Sequence, residues 1–352
     1  MPELWLGNMA GVLKNRVREL NLPHKLRTAG AEFDSDGDTD YAVGNLGRNT
    51  KYHASPAKPY FIYYGDFDNT GRNQLIEAEF ENDVLFPVRG KSCSSAAMPH
   101  LAAKFPTFHA FASASLGEIY TDQRLAAAKP FTVNSLDSGV WRNQGDGTFI
   151  FLPLPTLAQA SPTFGIVVLH ANNDRHPDLF IAQNFYGLQP ETGHADGGVG
   201  LLLLGNGDAT FTPVPPAESG LVVPGHATSV TCADVTGDGQ FELIVATNNG
   251  PLHFFQPRSP LKTHSLHRLE GIRGNPDAVG ARLIAEFEDG TRQSIEFHAG
   301  SGYLSQSQSP AMVPHAAKLE IVWPDGVTLP ATVFPVGTEP ALSPRVISHR
   351  RK

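Results

Sequence analysis

An all-β fold is what this sequence predicts, and three observations predict it. An acidic nine-residue loop recurs along the chain, short apolar runs bracket each copy, and Asn-Gly-Asp turns join further pairs of apolar runs. A loop between two strands is one hairpin and a turn between two strands is another. Two hairpins give about four antiparallel strands, the content of one β-propeller blade. The expected architecture is therefore a series of propeller blades with a helical insertion, followed by a small C-terminal β-sandwich-like domain.

The loop is clearest in EFDSDGDTD, residues 32–40, where five carboxylates fall within nine positions. Oxygen-bearing side chains occupy positions 1, 3, 5 and 9, with Gly at 6: Glu32, Asp34, Asp36 and Asp40 around Gly37, with Asp38 at position 7. The same frame fits Asp66, Asp68, Thr70 and Gln74 around Gly71, and Asp234, Thr236, Asp238 and Glu242 around Gly239. A fourth copy, HANNDRHPD, keeps Asn172, Asp174 and Asp178 but opens on His170 and carries Arg175 in place of Gly. Repetition of this kind sets the architecture of a chain. The bracketing runs (PYFIYYG, FGIVVL and ATSVTCA before; YAVGN, LIEAEF, LFIAQN and LIVATNN after) are β-branched and aromatic, as strands are. The turn hairpins are WRNQGDGTF, 141–149, and LLGNGDATF, 203–211.

Like charges this close repel unless something draws them together. A hard divalent cation does so: Ca²⁺ takes several oxygen ligands at about 2.3–2.6 Å and tolerates irregular geometry. Alternate acids curl to one side of a loop, Gly at position 6 allows a sharp turn, and position 7 offers its backbone carbonyl. A solvated acidic turn explains one such stretch, but not three intact copies with matching strands. Affinity follows charge, so the expected order is 32–40, then 234–242, then 66–74, with 170–178 weak or vestigial and His170 a structural replacement. An EF-hand needs a Glu at position 12 between two helices; Val43, Ile181 and Val245 stand there in three copies, so that motif is rejected.

Composition narrows the function. The 352 residues are 41% hydrophobic with 34 Gly and 28 Pro, a globular composition rich in turns. A net charge of −8 disfavours nucleic acid and anionic membranes, and no apolar run is long enough to span a bilayer. Cys93 and Cys232 make neither a disulfide framework nor a zinc site, and their pairing stays open. The first residues, MPELWLGNMAGVLKNRV, lack the apolar core of a signal peptide. Leu4-Trp5-Leu6-Gly7-Asn8 reads as the third strand of a blade with no first half before it, which implies a truncated reading of a longer propeller protein; a compact closed array is the alternative.

Blades are expected over 1–261. The Ala- and Leu-rich stretch 98–130 breaks the β pattern and reads as a helical insertion, with Thr107 a cap and Phe105, Phe108, Phe111 and Tyr120 packing against the blades. Residues 262–340 read as strands again, with hairpin turns at Asp289-Gly290 and Asp325-Gly326, and 341–352 as a basic tail.

The loops and their Gly-Asn or Gln-Asn strands resemble FG-GAP/VCBS repeats, and Leu46-Gly47-Arg48-Asn49-Thr50-Lys51-Tyr52 is similar to the NLGxNTKY signature of a bacterial branch of that family. GNPDAVGAR (274–282), GSGYLSQ (300–306) and VWPDG (322–326) resemble the ASPIC/UnbV domain in order and spacing. The resemblance covers about residues 25–335. It implies a secreted or cell-surface calcium-binding adhesion or scaffold protein, generally without catalysis, with protein or glycan partners.

Catalytic motifs are thin. There is no HExxH; Gly90-Lys91-Ser92 has Leu85 where a phosphate loop needs its first Gly; Ser301 sits outside any GxSxG; and Gly197-Gly198-Val199-Gly200 only precedes a strand. The competing expectation is a polysaccharide-active lyase or hydrolase on a propeller scaffold, which would need a pocket of titratable groups away from the acidic loops.

Overall fold

Each acidic loop joins two antiparallel strands in the computed structural model, which describes residues 27–188, 192–300, 302–303, 305–308, 311–331 and 345–348. With strands numbered in chain order, loop 32–40 joins β1 (Arg27–Ala31) to β2 (Asp40–Gly44), and loop 66–74 joins β3 (Tyr60–Gly65) to β4 (Gln74–Glu81). Loop 170–178 joins β9 (Thr163–Leu169) to β10 (Asp178–Gln183), and loop 234–242 joins β13 (Ala227–Ala233) to β14 (Glu242–Thr247). The strand pattern expected at Leu4–Asn8 lies outside the described residues.

The chain forms two compact units, Leu26–Asn49 with Asp137–Lys352, and one whose described residues are Thr50–Leu136. The smaller unit is thus inserted, in sequence, into the first blade. β2 is completed by β7 (Gly139–Asn143) and β8 (Phe149–Pro153), giving the order β1-β2-β7-β8. The sheet that carries loop 66–74 is completed differently: β5 (Val84–Pro87) pairs with β4 and β6 (Lys129–Val133) with β3, in the order β5-β4-β3-β6.

Within the smaller unit, the helical insertion runs earlier than 98–130. It comprises α1 (Lys91–Ala97), α2 (His100–Lys104), α3 (Phe108–Ala112), α4 (Leu116–Tyr120) and α5 (Asp122–Ala127). Its expected end, Lys129–Pro130, belongs to β6 instead, because KPFTV pairs antiparallel along β3. Thr107 Oγ1 accepts from the N–H of Ala110 at 3.1 Å, and Ser115 with Glu118 forms a capping box. Met98, Leu101, Phe111, Ile119 and Tyr120 pack on Phe67, Ile76 and Ala78 of the sheet. Phe105 is half-buried there, whereas Phe108 is 67% exposed.

In the larger unit, strand β10, DLFIAQ, is apolar at consecutive positions, which a strand tolerates only when both faces are covered. All six of its residues are buried. Leu179 and Ile181 pack with Ala29, Phe33, Ala42 and Val140 of the first blade. Phe180 and Ala182 point the other way, to Val230, Cys232, Leu243 and Val245. The period of two therefore stacks three sheets in sequence: the first blade; a second of order β12-β11-β10-β9, where β11 is Leu201–Gly205 and β12 Phe211–Val214; and a third, β13-β14-β15, where β15 is Leu252–Phe255. They are blades stacked face to face; among the described residues they do not close a ring.

The recurrent Asn ties one blade to the next at two of the loop hairpins. The N–H of Thr163 donates to Asn45 O at 2.9 Å between the first two blades, whereas the N–H of Asn248 donates to His226 O at 2.8 Å at the end of the β13–β14 pairing. Asn184 does most: its side-chain oxygen accepts from Ser161 and Gly198, and its amide nitrogen donates to Gly198 O at 2.7 Å and Gly225 O at 2.8 Å. Its φ of 87° is a value that Asn and Gly adopt more readily than other residues. Asn184→Ala strands those buried partners and strains the backbone, so it is expected to cost roughly 2–4 kcal/mol. Asn184→Gly relieves the strain and recovers only part. Urea unfolding checks both; an alanine variant within about 0.5 kcal/mol of the parent would contradict the stapling role.

The C-terminal strands form two sheets. One is β19 (Ala311–Pro314), β16 (His264–Glu270) and β22 (Arg345–Ser348); the other, in order, is β18 (Arg292–Glu296), β17 (Arg282–Glu286), β20 (Lys318–Val322) and β21 (Thr328–Ala331). Leu269, Val313, Leu283, Ile321 and Trp323 form the core between them. The expected basic tail needs correction: Arg345–Ser348 is a strand parallel to β16, with Ile347 against this core. No disulfide forms; Cys93 is an exposed free thiol and Cys232 a buried one.

Candidate metal centre

One backbone device recurs in all four loops. The position 9 side chain turns back to accept from the N–H of position 2: Asp40 from Phe33 at 3.0 Å, Gln74 from Phe67 at 2.7 Å, Asp178 from Ala171 at 2.7 Å and Glu242 from Val235 at 2.7 Å. A second device appears only where Gly stands at position 6. There the position 1 carboxylate accepts from that glycine: Glu32 from Gly37 at 2.7 Å, Asp66 from Gly71 at 2.8 Å and Asp234 from Gly239 at 3.1 Å. Positions 4 and 6 have positive φ in these copies (Ser35 and Gly37, Asn69 and Gly71, Gly237 and Gly239). Asn173 and Arg175 do not, so the 170–178 loop follows another path, which is why Arg is tolerated there.

The copies differ in what their acids face. Glu32, Asp34 and Asp40 offer carboxylate oxygens that all lie within 4.8 Å of one another, and they are the only such trio of potential ligands among the described residues. Glu32 and Asp40 are buried, and Asp34 Oδ1 is buried with no hydrogen-bond partner. An orphaned anionic oxygen beside two further carboxylates fits a cation; it fits a merely solvated turn badly. Asp36 and Asp38 lie outside the trio: Asp36 Oδ1 accepts from the N–H of Asp38 at 2.9 Å. In loop 66–74, Asp68 Oδ1 accepts from Thr70 Oγ1 at 2.6 Å and from Gln74 Nε2 at 2.9 Å, and those bonds, the threonine first, pull its pKa down to about 2. In loop 234–242, Thr236 Oγ1 donates to Glu242 at 2.7 Å while Asp238 accepts from the N–H of Gln240 at 2.9 Å.

Burial dominates the electrostatics of the first loop. It pushes the Glu32 carboxyl up to about 9, with Asp40 and Asp36 adding to the effect, and Asp40 to about 7 against the N–H groups of Asn143 and Phe33. Asp34 is raised too, by burial and then by Asp36. A carboxyl that keeps its proton to about 9 when folded, against an ordinary 4.5, gives stability that is complete below 4.5 and lost as pH rises through 9. With chelator present, the melting midpoint is therefore expected to fall between about pH 5 and 9. Calcium should flatten that slope, because the ion takes the proton's place. A midpoint in chelator that is flat over this window would contradict the assignment.

Sequence reasoning missed two contributors. Arg142 Nε stands 3.7 Å from Asp34 Oδ2, and the N–H of Asn143 donates to Asp40 Oδ1 at 2.7 Å. Both come from β7, about a hundred residues downstream, and only sheet pairing brings them to the loop.

The 170–178 loop does something else. Asn172 Nδ2 donates to Asp174 at 2.7 Å, and Asp178 is held by the N–H groups of Ala171 and, at 2.9 Å, Gly205. Its remaining groups face the C-terminal strands: Arg175 pairs with Asp289 and lies 4.8 Å from the ring centre of Phe287, and Lys262 N–H donates to Asn173 Oδ1 at 2.7 Å. The His170 and His264 rings lie 4.3 Å apart at an interplanar angle of 42°. The glycine-rich 300–306 segment also meets a blade: Ser305 Oγ donates to Val230 O at 3.1 Å, and Tyr303 lies 6.0 Å from Phe164.

The stacked hairpins and the C-terminal sandwich each coincide with a match to a known family model. The family model of the FG-GAP-like repeat matches residues 172–245, and that of ASPIC and UnbV matches 271–339. The chain is similar to cartilage acidic protein 1 of Homo sapiens, at 22% identity over 179 residues, which cover 49% of this chain and 26% of that protein. It thus spans about a quarter of that relative's length. No helix among the described residues is long and apolar enough to cross a membrane.

Proposed function

We propose that this protein is a calcium-binding, non-catalytic module that works outside the cell, where its stacked blades present a binding surface to protein or glycan partners. The observation that carries the reading is the orphaned Asp34 oxygen among the Glu32 and Asp40 carboxylates. Glu32, Asp34 and Asp40 hold the ion, and Asp36 and Asp38 supply further oxygens from the same loop. Bound Ca²⁺ neutralises the buried acids and so fixes the β1–β2 hairpin against β7. Loops 234–242 and 66–74 follow with weaker sites. The FG-GAP-like and ASPIC and UnbV matches support a role in binding at a surface. The test is retention on arrays of purified glycans and extracellular-matrix proteins, with calcium and with chelator, alongside a reducing-end assay on polysaccharides. Calcium-dependent retention without new reducing ends supports the reading; release of reducing ends favours the lyase or hydrolase alternative.

A further inference from the structure

A cavity of about 400 Å³ opens between the blades and the C-terminal sandwich, within the larger unit. Its blade side includes Glu32, Val168, His170, Cys232 and Phe241; its sandwich side includes Asp277, Ser294, Glu296 and Met312. This volume lies within the range of small-molecule sites, which run to roughly 300–1,000 Å³ and favour domain junctions. Three acids line it, Glu32, Asp277 and Glu296, and no Lys or Arg does. Two further lining side chains, Gln293 and Ser294, are 2% and 1% exposed, and Gln293 Oε1 and Ser294 Oγ lack hydrogen-bond partners. Buried polar atoms left unpaired on a cavity wall cost stability until something pairs with them. Gln293 Oε1 can only accept, so what it lacks is a donor, and the lining carboxylates favour a donor that carries positive charge. Val168, Leu169, Phe241 and Met312 also line it and suit an aliphatic chain.

We propose that this cavity binds a small organic cation, an amine or guanidinium on a short aliphatic chain, with Glu296 and Asp277 facing its charge and Gln293 accepting from its N–H groups. The inference does not rest on calcium occupying loop 32–40, because it assigns the ligand's charge to Glu296 and Asp277 and not to Glu32.

The test is thermal melting with putrescine and with agmatine, against glucose as a neutral and succinate as an anionic probe. Each is run at saturating calcium and again in chelator, and calcium's own shift is read in the same series, so failure of the metal reading and failure of this one are told apart. A saturable rise with the two cations, absent with glucose and succinate, is expected. Glu296→Gln with Asp277→Asn, both exposed positions, should weaken the apparent affinity at least tenfold while leaving the melting of the ligand-free protein near that of the parent. No saturable shift with either cation, an equal shift with glucose, or a shift untouched by the double variant would overturn the proposal.

Discussion

Calcium added to chelator-stripped protein is expected to raise the melting midpoint of the larger unit, and Asp34→Ala combined with Asp36→Ala to remove most of that rise. The size follows from mass action: an ion that binds only the folded state adds about 2.7 kcal/mol at a concentration a hundredfold above its Kd. The geometry of the loop supports this expectation. Asp34 Oδ1 is buried with no partner, Glu32 and Asp40 are buried beside it, and the N–H groups that reach these acids satisfy only part of their capacity. Removing Asp34 and Asp36 also removes repulsion, so the stripped double variant should melt no lower than the stripped parent. Asp34→Asn keeps the shape and loses the charge, and should lose most of the calcium response too. A parent protein indifferent to calcium would defeat the reading.

Phe180→Ala is expected to cost about 3–5 kcal/mol, the range for emptying a large aromatic site in a core. Phe180 has no exposed surface and lies on the face of β10 turned to the third blade, with Val167, Val230 and Leu243 in the same cluster. The neighbours belong to two different sheets, so the cavity cannot collapse by moving one side chain. Leu75→Ala is the control: Leu75 is 64% exposed and should change stability by no more than about 0.5 kcal/mol. Equal effects at the two positions would mean that the sheets do not stack as described.

What the sequence made legible was local. The loops, their bracketing strands, the Thr107 cap and the hairpin turns at Asp289-Gly290 and Asp325-Gly326 depend on residues within a few positions, where propensity and φ preferences act directly. Pairing across long separations was not legible. Nothing near β2 announces that its partner is β7, because the inserted unit supplies equally good strands first. Arg142, docking through Arg175 and the cavity beside Gln293 depend on that assembly and leave no spaced motif. The Arg at position 6 of the 170–178 loop did carry a signal: without Gly the loop lacks the positive φ that the other three copies have there. Its gain, a contact with Phe287 and Asp289, became visible only in three dimensions.

The most direct measurement is anomalous diffraction from crystals grown in calcium. The account predicts a peak among Glu32, Asp34 and Asp40, with oxygens at about 2.3–2.6 Å. A loop without a peak at saturating calcium, its Asp34 paired to Arg142 instead, would contradict it.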